Sequence, residues 1–316
     1  MKLQTQIPFK KANNQIGYES QIISLGSCFA ENIGQKLDYF KFRQLQNPFG
    51  ILFHPLAIEK LIERAVDERF YSKADVFFHN ERWHCYDAHS ELSDPSEETL
   101  LKSLNEVLDA TRSHIVSASH CIITLGTAWV YRHTASYEIV ANCHKVPQRE
   151  FSKELLSIAE IVTSLQGIIK RIRSINPNVQ FIFTVSPVRH LKDGFVENQL
   201  SKAHLIAAIH KLRKSGPMIS YFPSYEIMMD ELRDYRFYKR DMVHPNPLAI
   251  DYIWEKFKDV WVSEESRTTM TKIEAVQKGL RHRAFNPDSK QHQEFLSKLR
   301  SMKEEIQERH PHISLD

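Results

Sequence analysis

Five short strand-like runs punctuate the chain, separated by amphipathic stretches with a period near that of a helix. The runs are 21–26 (QIISLG), 42–47, 121–126 (CIITLG), 179–186 (VQFIFTVS) and 218–222. Where such runs are nearly continuously apolar rather than alternating, both faces of the strand are buried, as in a parallel sheet. The periodic stretches predict helices over 28–40, 55–70, 97–114, 153–175, 198–215 and 247–262. Gly216-Pro217 stops the fifth, and Asn246 followed by Pro247 supplies an N-cap and a first-turn proline for the sixth. Alternating strands and helices specify an α/β fold: a three-layer, doubly wound parallel sheet with the first strand near its centre.

Two segments break this rhythm. Residues 75–90 (DVFFHNERWHCYDAHS) read as a β-hairpin turning near Asn80-Glu81, and 131–149 (YRHTASYEIVANCHKVPQR) as a second strand pair. Insertions after strand ends fall over the carboxyl edge of the sheet, where ligands bind in such folds. From residue 266 the pattern is helical and highly charged. The expected organisation is a main domain over 1–265 and a two-helix appendage over 266–316, a surface for packing or self-association.

Composition narrows the functional classes. Only nine of 316 residues are glycine, less than half the usual share of about 7%. Neither a G-x-G-x-x-G dinucleotide fingerprint, nor a phosphate-binding P-loop, nor a G-x-S-x-G elbow can be written. The 42 Lys and Arg against 39 Asp and Glu leave a net charge of +3, with both signs interleaved, so no nucleic-acid partner is expected. The first twenty residues lack the apolar core of a secretory signal, and no stretch approaches the roughly 18 apolar residues of a membrane span. With four cysteines and no C-x-x-C pair, the expectation is a cytoplasmic protein with reduced thiols and no membrane association.

Two constellations carry candidate chemistry. Gly26-Ser27-Cys28 lies at the junction of the first strand and its helix, which puts a serine at the carboxyl edge of the sheet and the positive end of a helix dipole. Its N–H is expected to be free for an oxyanion, although strand–Gly–Ser–helix is also how an ordinary N-cap serine looks. Asp241-Met242-Val243-His244-Pro245 precedes the sixth helix. A serine hydroxyl needs a base at neutral pH, and a carboxylate three residues before a histidine can orient the imidazole. Cys28 is a rival nucleophile, because a helix start lowers a thiol pKa. The adjacent pairs His84-Cys85, His120-Cys121 and Cys143-His144 lack the spacing of a zinc knuckle, so no metal is expected.

The serine with its flanks, Gly26-Ser27-Cys28-Phe29-Ala30, spells the signature of the GSCFA family, which the sequence resembles over most of 20–262. Further matching stretches are Asn47-Pro48-Phe49-Gly50, Leu125-Gly126-Thr127-Ala128-Trp129, Asn142-Cys143-His144-Lys145-Val146-Pro147 and Ser186-Pro187-Val188-Arg189-His190, with Tyr221–Glu226 and D-M-V-H-P completing the set. The family looks like a branch of the SGNH/GDSL hydrolases. That resemblance implies Ser27 as nucleophile, His244 as general base and Asp241 as its orienting acid. It also implies oxyanion donors from the Ser27 and Gly50 N–H groups and from a third position. There the sequence departs from the hydrolase pattern: Thr127 and Ala128 follow Gly126 where Gly-x-Asn-Asp would stand. Thr127, or Asn142 from the second insertion, is the expected substitute. Gly26 also stands where an aspartate usually precedes the serine.

The implied activity is a serine-dependent esterase acting on a small-molecule ester, such as an O-acyl group on a polar or sugar-like substrate. Asn142, His144 and Lys145 are the expected substrate contacts, with His89, Arg189 and His190 as further pocket residues. No cofactor is implied. The same residues would serve an acyltransferase, and a catalytically silent binding scaffold is the alternative from a different class.

Overall fold

The computed structural model describes residues 4–214, 216, 218–282 and 285–315. In chain order its elements are β1 (Gln21–Gly26), α1 (Cys28–Tyr39), β2 (Arg43–Gln46), α2 (Pro55–Val66), β3 (Val76–His79), β4 (Arg82–Cys85), α3 (Glu97–Ser117) and β5 (His120–Leu125). There follow β6 (Trp129–His133), β7 (Ile139–Val140), β8 (Phe151–Leu155), α4 (Ile158–Ile175), β9 (Gln180–Val185), α5 (Phe195–Arg213), β10 (Ile219–Phe222), α6 (Ser224–Glu226), α7 (Pro247–Trp261), α8 (Glu264–Arg281) and α9 (Lys290–Arg309).

The five strands expected from the hydrophobic runs form one parallel sheet, ordered β2-β1-β5-β9-β10. β5 occupies the centre and β1 lies beside it, near the centre as expected and one place from the edge. The chain winds outward from β1 to β2, then returns to the other side of β1 and builds the rest of the sheet there. This reversal leaves a crevice at the carboxyl ends of β1 and β5, the topological switch point where ligands bind in doubly wound sheets.

Side chains alternate between two helical layers. Ile23, Leu25, Cys121, Ile123, Phe181 and Phe183 pack against α2, α3, α4 and α5, while Ile22, Ile122 and Ile182 face α1 and α7. The appendage belongs to the second layer. Met270, Ile273 and Val276 of α8, Ile306 of α9, and Ile313 and Leu315 share one buried cluster with Ile16, Phe29, Trp254 and Phe257. Among the described residues no helix is long and apolar enough to cross a membrane.

The insertions differ in one respect from expectation. β3 and β4 pair as the predicted hairpin, with Asn80 and Glu81 both at positive φ in its turn. The second insertion is a three-stranded sheet, β7-β6-β8, rather than a strand pair. Its third strand takes Phe151–Leu155, the start of the helix predicted over 153–175. Ser157 instead begins that helix in a capping box, accepting from the Glu160 N–H while the Glu160 carboxylate accepts from its own N–H.

Candidate active site

β1 ends in a residue with no room for a side chain. Gly26 has φ +133°, and a methyl group there would stand 2.1 Å from the Thr124 carbonyl oxygen on β5. Its N–H donates to Asn47 Oδ1 (2.9 Å), which ties the ends of β1 and β2 together. The chain then turns into α1 through Ser27, whose Oγ caps the helix by accepting from the Phe29 N–H at 3.4 Å. Ser27 is fully buried. Both readings of the serine thus meet in one residue, an N-cap at the switch point.

The Asp241–His244 pair forms as the spacing predicts. His244 Nδ1 lies 2.8 Å from Asp241 Oδ2, and Asp241 Oδ1 accepts from the N–H groups of Val243 (2.9 Å) and His244 (3.0 Å). These donors, the backbone ones first, hold the Asp241 carboxyl down at about 2. An ionised Asp241 fixes the tautomer with Nδ1–H, leaving His244 Nε2 as a proton acceptor. The histidine is partly open to solvent, and among the described residues no hydrogen bond joins it to Ser27.

A backbone contact ties this loop to the carboxyl edge of the sheet through Arg189, just past β9, and within the loop the Lys239 N–H donates to the His244 carbonyl (2.7 Å). Arg189, one of the expected pocket residues, holds the loop. Its N–H donates to Val243 O (3.1 Å), and its guanidinium lies over the rings of Phe195, Tyr235 and Tyr238.

The expected backbone oxyanion donors are already engaged. The Ser27 N–H donates to Thr124 O (3.0 Å), the Gly50 N–H to Asn47 O (2.7 Å) and the Thr127 N–H to Phe53 O (3.0 Å). For Gly50 this is a local turn back to Asn47, and for Ser27 and Thr127 the physical reason is the closeness of the strand ends. Backbone groups that approach this tightly satisfy each other instead of pointing into a crevice. The Thr127 hydroxyl is likewise bound, 3.1 Å from Ser201 Oγ and accepting from the Trp129 N–H (3.0 Å).

Three buried polar residues of α5 organise this edge, and none of them stands out in the sequence as a site residue. Asn198 Oδ1 accepts from the His190 N–H (2.8 Å), and Ser201 Oγ accepts from the Ala128 N–H (2.7 Å). Lys202 Nζ donates to both Gly126 O (2.7 Å) and Ser186 O (2.8 Å), bridging the loops that follow β5 and β9. Complete burial pushes this ammonium down to about 7. The one available signal is positional: 198, 201 and 202 continue the apolar stripe of Leu205, Ala208, Ile209 and Leu212. Cys28, the rival nucleophile, has its thiol pushed up by burial and next by Glu31, against the activation a helix start would supply.

The two insertions pack against each other beside this edge. His144 Nε2 donates to Cys85 O (2.7 Å) and its Nδ1 accepts from Ser90 Oγ (3.0 Å). Both nitrogens are occupied and burial lowers the imidazole to about 4, so His144 is a structural neutral histidine rather than the expected substrate contact. Asn142 Oδ1 accepts from the His144 N–H (2.8 Å), while Lys145 is exposed at φ +60°. His89 packs on Gly50, with Nδ1 3.6 Å from the Glu91 carboxylate. His54 caps α2 through Nδ1 and reaches Val140 O through Nε2 (3.0 Å), tying the second insertion to the sheet.

A cavity of about 320 Å³ lies between this insertion and the strand ends. Phe53, Trp129, Tyr131 and Val140 form its apolar walls, and Thr127, Asn142, His190 and Lys192 are among its polar groups. A larger cleft of about 720 Å³ on the outer side of the insertions is lined by ion-paired groups such as Asp87 with Lys60 (2.8 Å), and shares no residue with the candidate site. Among the described residues no group of three or more His, Cys, Asp or Glu is placed to hold a metal ion.

Comparison with known proteins adds a family. The family model described as "GSCFA family" matches residues 21–257, and one described as "GSCFA domain protein, C-terminal domain" matches 273–316. No curated protein matches the chain.

Proposed function

The chain belongs to the GSCFA family, and on that premise we propose that it is a serine-dependent esterase of the SGNH/GDSL type. One observation carries the reading. A carboxylate-held histidine, with Nδ1 2.8 Å from Asp241 Oδ2, sits in a loop tied through Val243 O to the Arg189 N–H (3.1 Å) just past the end of β9, and Ser27 caps the first helix at the end of β1 in the same parallel sheet.

Ser27 Oγ attacks the ester carbonyl carbon while His244 Nε2 takes the hydroxyl proton, and Asp241 steadies the imidazolium that forms. When the tetrahedral intermediate collapses, the C–O bond to the alcohol breaks and His244 returns the proton to the departing oxygen. Water then attacks the acyl-serine by the reverse sequence; an alcohol in its place makes the reaction an acyl transfer. Because Ser27 is shielded in this conformation, substrate entry must uncover it. The 320 Å³ cavity, apolar at Phe53 and Trp129 and polar at Asn142 and Lys192, favours a small acyl group on a polar alcohol over a long lipid chain. Free thiols throughout are in keeping with a cytoplasmic location.

A second reading, a binding scaffold without catalysis, draws on the burial of Ser27 and on the engaged backbone donors. Labelling with a small fluorophosphonate separates the two. Wild-type protein is expected to be labelled and Ser27→Ala not. Equal labelling of both, or of neither, overturns the serine mechanism.

A further inference from the structure

If the backbone donors are engaged, something else must receive the charge that develops on the carbonyl oxygen. A missing oxyanion donor costs about 10²–10³ in turnover, so a serine esterase without any would be a poor one. We propose that His190 is that donor: its imidazole Nε2–H binds the oxyanion of the tetrahedral intermediate formed on Ser27. The inference rests on the serine esterase reading and deepens it.

The placement comes from the loop after β9. His190 Nε2 is buried and has no hydrogen-bond partner among the described residues. Such an atom is costly to leave unmet, and in a native fold it calls for a ligand or a function. A methyl group built at Gly126 would stand 3.2 Å from Ser27 Cβ and 3.3 Å from His190 Nε2. Ser27 Cβ and His190 Nε2 therefore both border the space beside Gly126, where only a hydrogen stands. His190 also lines the 320 Å³ cavity, so the same ring borders the space proposed for the acyl group.

The backbone of His190 is anchored by its main-chain N–H, which donates to Asn198 Oδ1 (2.8 Å), and the Phe53 ring meets the imidazole edge-on with centroids 5.6 Å apart. The charged or titratable groups that reach it are Lys202 and His244. Burial first, and then the Lys202 ammonium, push the imidazole down to about 3, so it is neutral near pH 7. A neutral imidazole is a hydrogen-bond donor that does not release its proton, and a ring this weakly basic is unsuited to deprotonating Ser27. The two histidines thus divide the work. His244 accepts the serine proton and passes it to the leaving alcohol, while the proton on His190 Nε2 stays where it is through both steps.

The test uses the full chain with p-nitrophenyl acetate as substrate and the fluorophosphonate label as a control. His190→Leu is expected to lower kcat by about 10²–10³ with KM held within about threefold, because the lost interaction exists only in the transition state. His190→Gln, which keeps an N–H at similar reach but has no titratable ring, is expected to stay within about tenfold of wild type with an unchanged pH–rate profile. If His190→Leu does not fold by circular dichroism, His190→Asn, whose amide is too short to reach, takes its place with the same expected loss. Wild-type turnover in the Leu or Asn variant overturns the proposal. A Gln variant as slow as the Leu variant, with its acid limb abolished, makes His190 a base instead and also overturns it. Failure of the esterase reading itself looks different: the wild type is then neither labelled nor active on p-nitrophenyl acetate, and the donor role falls with it.

Discussion

At Gly26 a hydrogen stands where any other residue would place carbon 2.1 Å from the Thr124 carbonyl, at a φ of +133° that L residues rarely adopt. Clash and backbone strain act together, so Gly26→Ala is expected to cost more than about 3 kcal/mol, measured by urea unfolding of whatever soluble protein remains. Asp241 makes a different kind of prediction. Its carboxyl is held at about 2, so it stays ionised throughout the range in which an imidazole titrates. Asp241→Asn is therefore expected to lower kcat on p-nitrophenyl acetate at least about tenfold at every pH, by removing the group that fixes the tautomer. Equal turnover in the variant would remove Asp241 from the mechanism. Both residues were legible in the sequence, one as a glycine at a strand end and one as D-x-x-H. The state of the backbone N–H groups was not. Whether the N–H of Ser27 or Thr127 is free depends on the carbonyls of Thr124 and Phe53, partners that only the meeting of separate strand ends supplies, whereas the Gly50 N–H turns back locally to Asn47.

Helix α5 shows how an element can be recognised while its role is hidden. Its C-terminal half is conventionally amphipathic, with Leu205, Ala208, Ile209 and Leu212 buried. In its first two turns the polarity is inverted. Phe195, Val196 and Leu200 are exposed, while Asn198, Ser201 and Lys202 are buried beneath the loops after β5 and β9. Periodicity detects where a stripe lies but is blind to a stripe whose buried residues are polar. Lys202→Met removes the donor from two carbonyls, Gly126 O and Ser186 O, and is expected to cost about 1–3 kcal/mol for each one left unmet. The same residue has a pH signature. Folded, its ammonium titrates near 7, whereas the unfolded side chain does so near the ordinary value of 10.5. Between those values the unfolded chain binds more protons, so Lys202 makes stability rise with pH. Urea midpoints at about pH 7 and about pH 9 are expected to show a smaller rise in Lys202→Met than in wild type.

For the whole molecule the titrating burden runs toward acid. His54 and His144 are lowered to about 4 and His190 to about 3, in each case chiefly by burial. An unfolded histidine takes up its proton near pH 6.5, so from about pH 7 down to about 4 the unfolded chain binds more protons and stability falls. The depressed carboxyl of Asp241 adds its loss only below about pH 4. The urea midpoint is expected to drop between about pH 7 and about pH 5, and the drop to be smaller in His144→Gln. The C-terminal helices belong to this scale as well. Because Met270, Ile273 and Ile306 share a buried cluster with Ile16, Trp254 and Phe257, removal of 264–316 is expected to yield insoluble protein rather than a free-standing domain, as checked by solubility on expression.

By itself the sequence determined the class of fold, the strand and helix succession and the two chemical signatures, because these depend on local periodicity, caps and short spacings. Ser27 falls at the end of β1 and Asp241 pairs with His244 for reasons contained within a few residues of each. The tertiary structure decided which strand is central, that α8 and α9 close the core, and that His144 is structural while His190 is left with an unmet nitrogen. Each of these turns on a partner distant in sequence, as when His144 meets Cys85 and His190 and Ser27 both come up beside Gly126. Burial and hydrogen-bond satisfaction are properties of the packed neighbourhood, and no pattern along the chain encodes them.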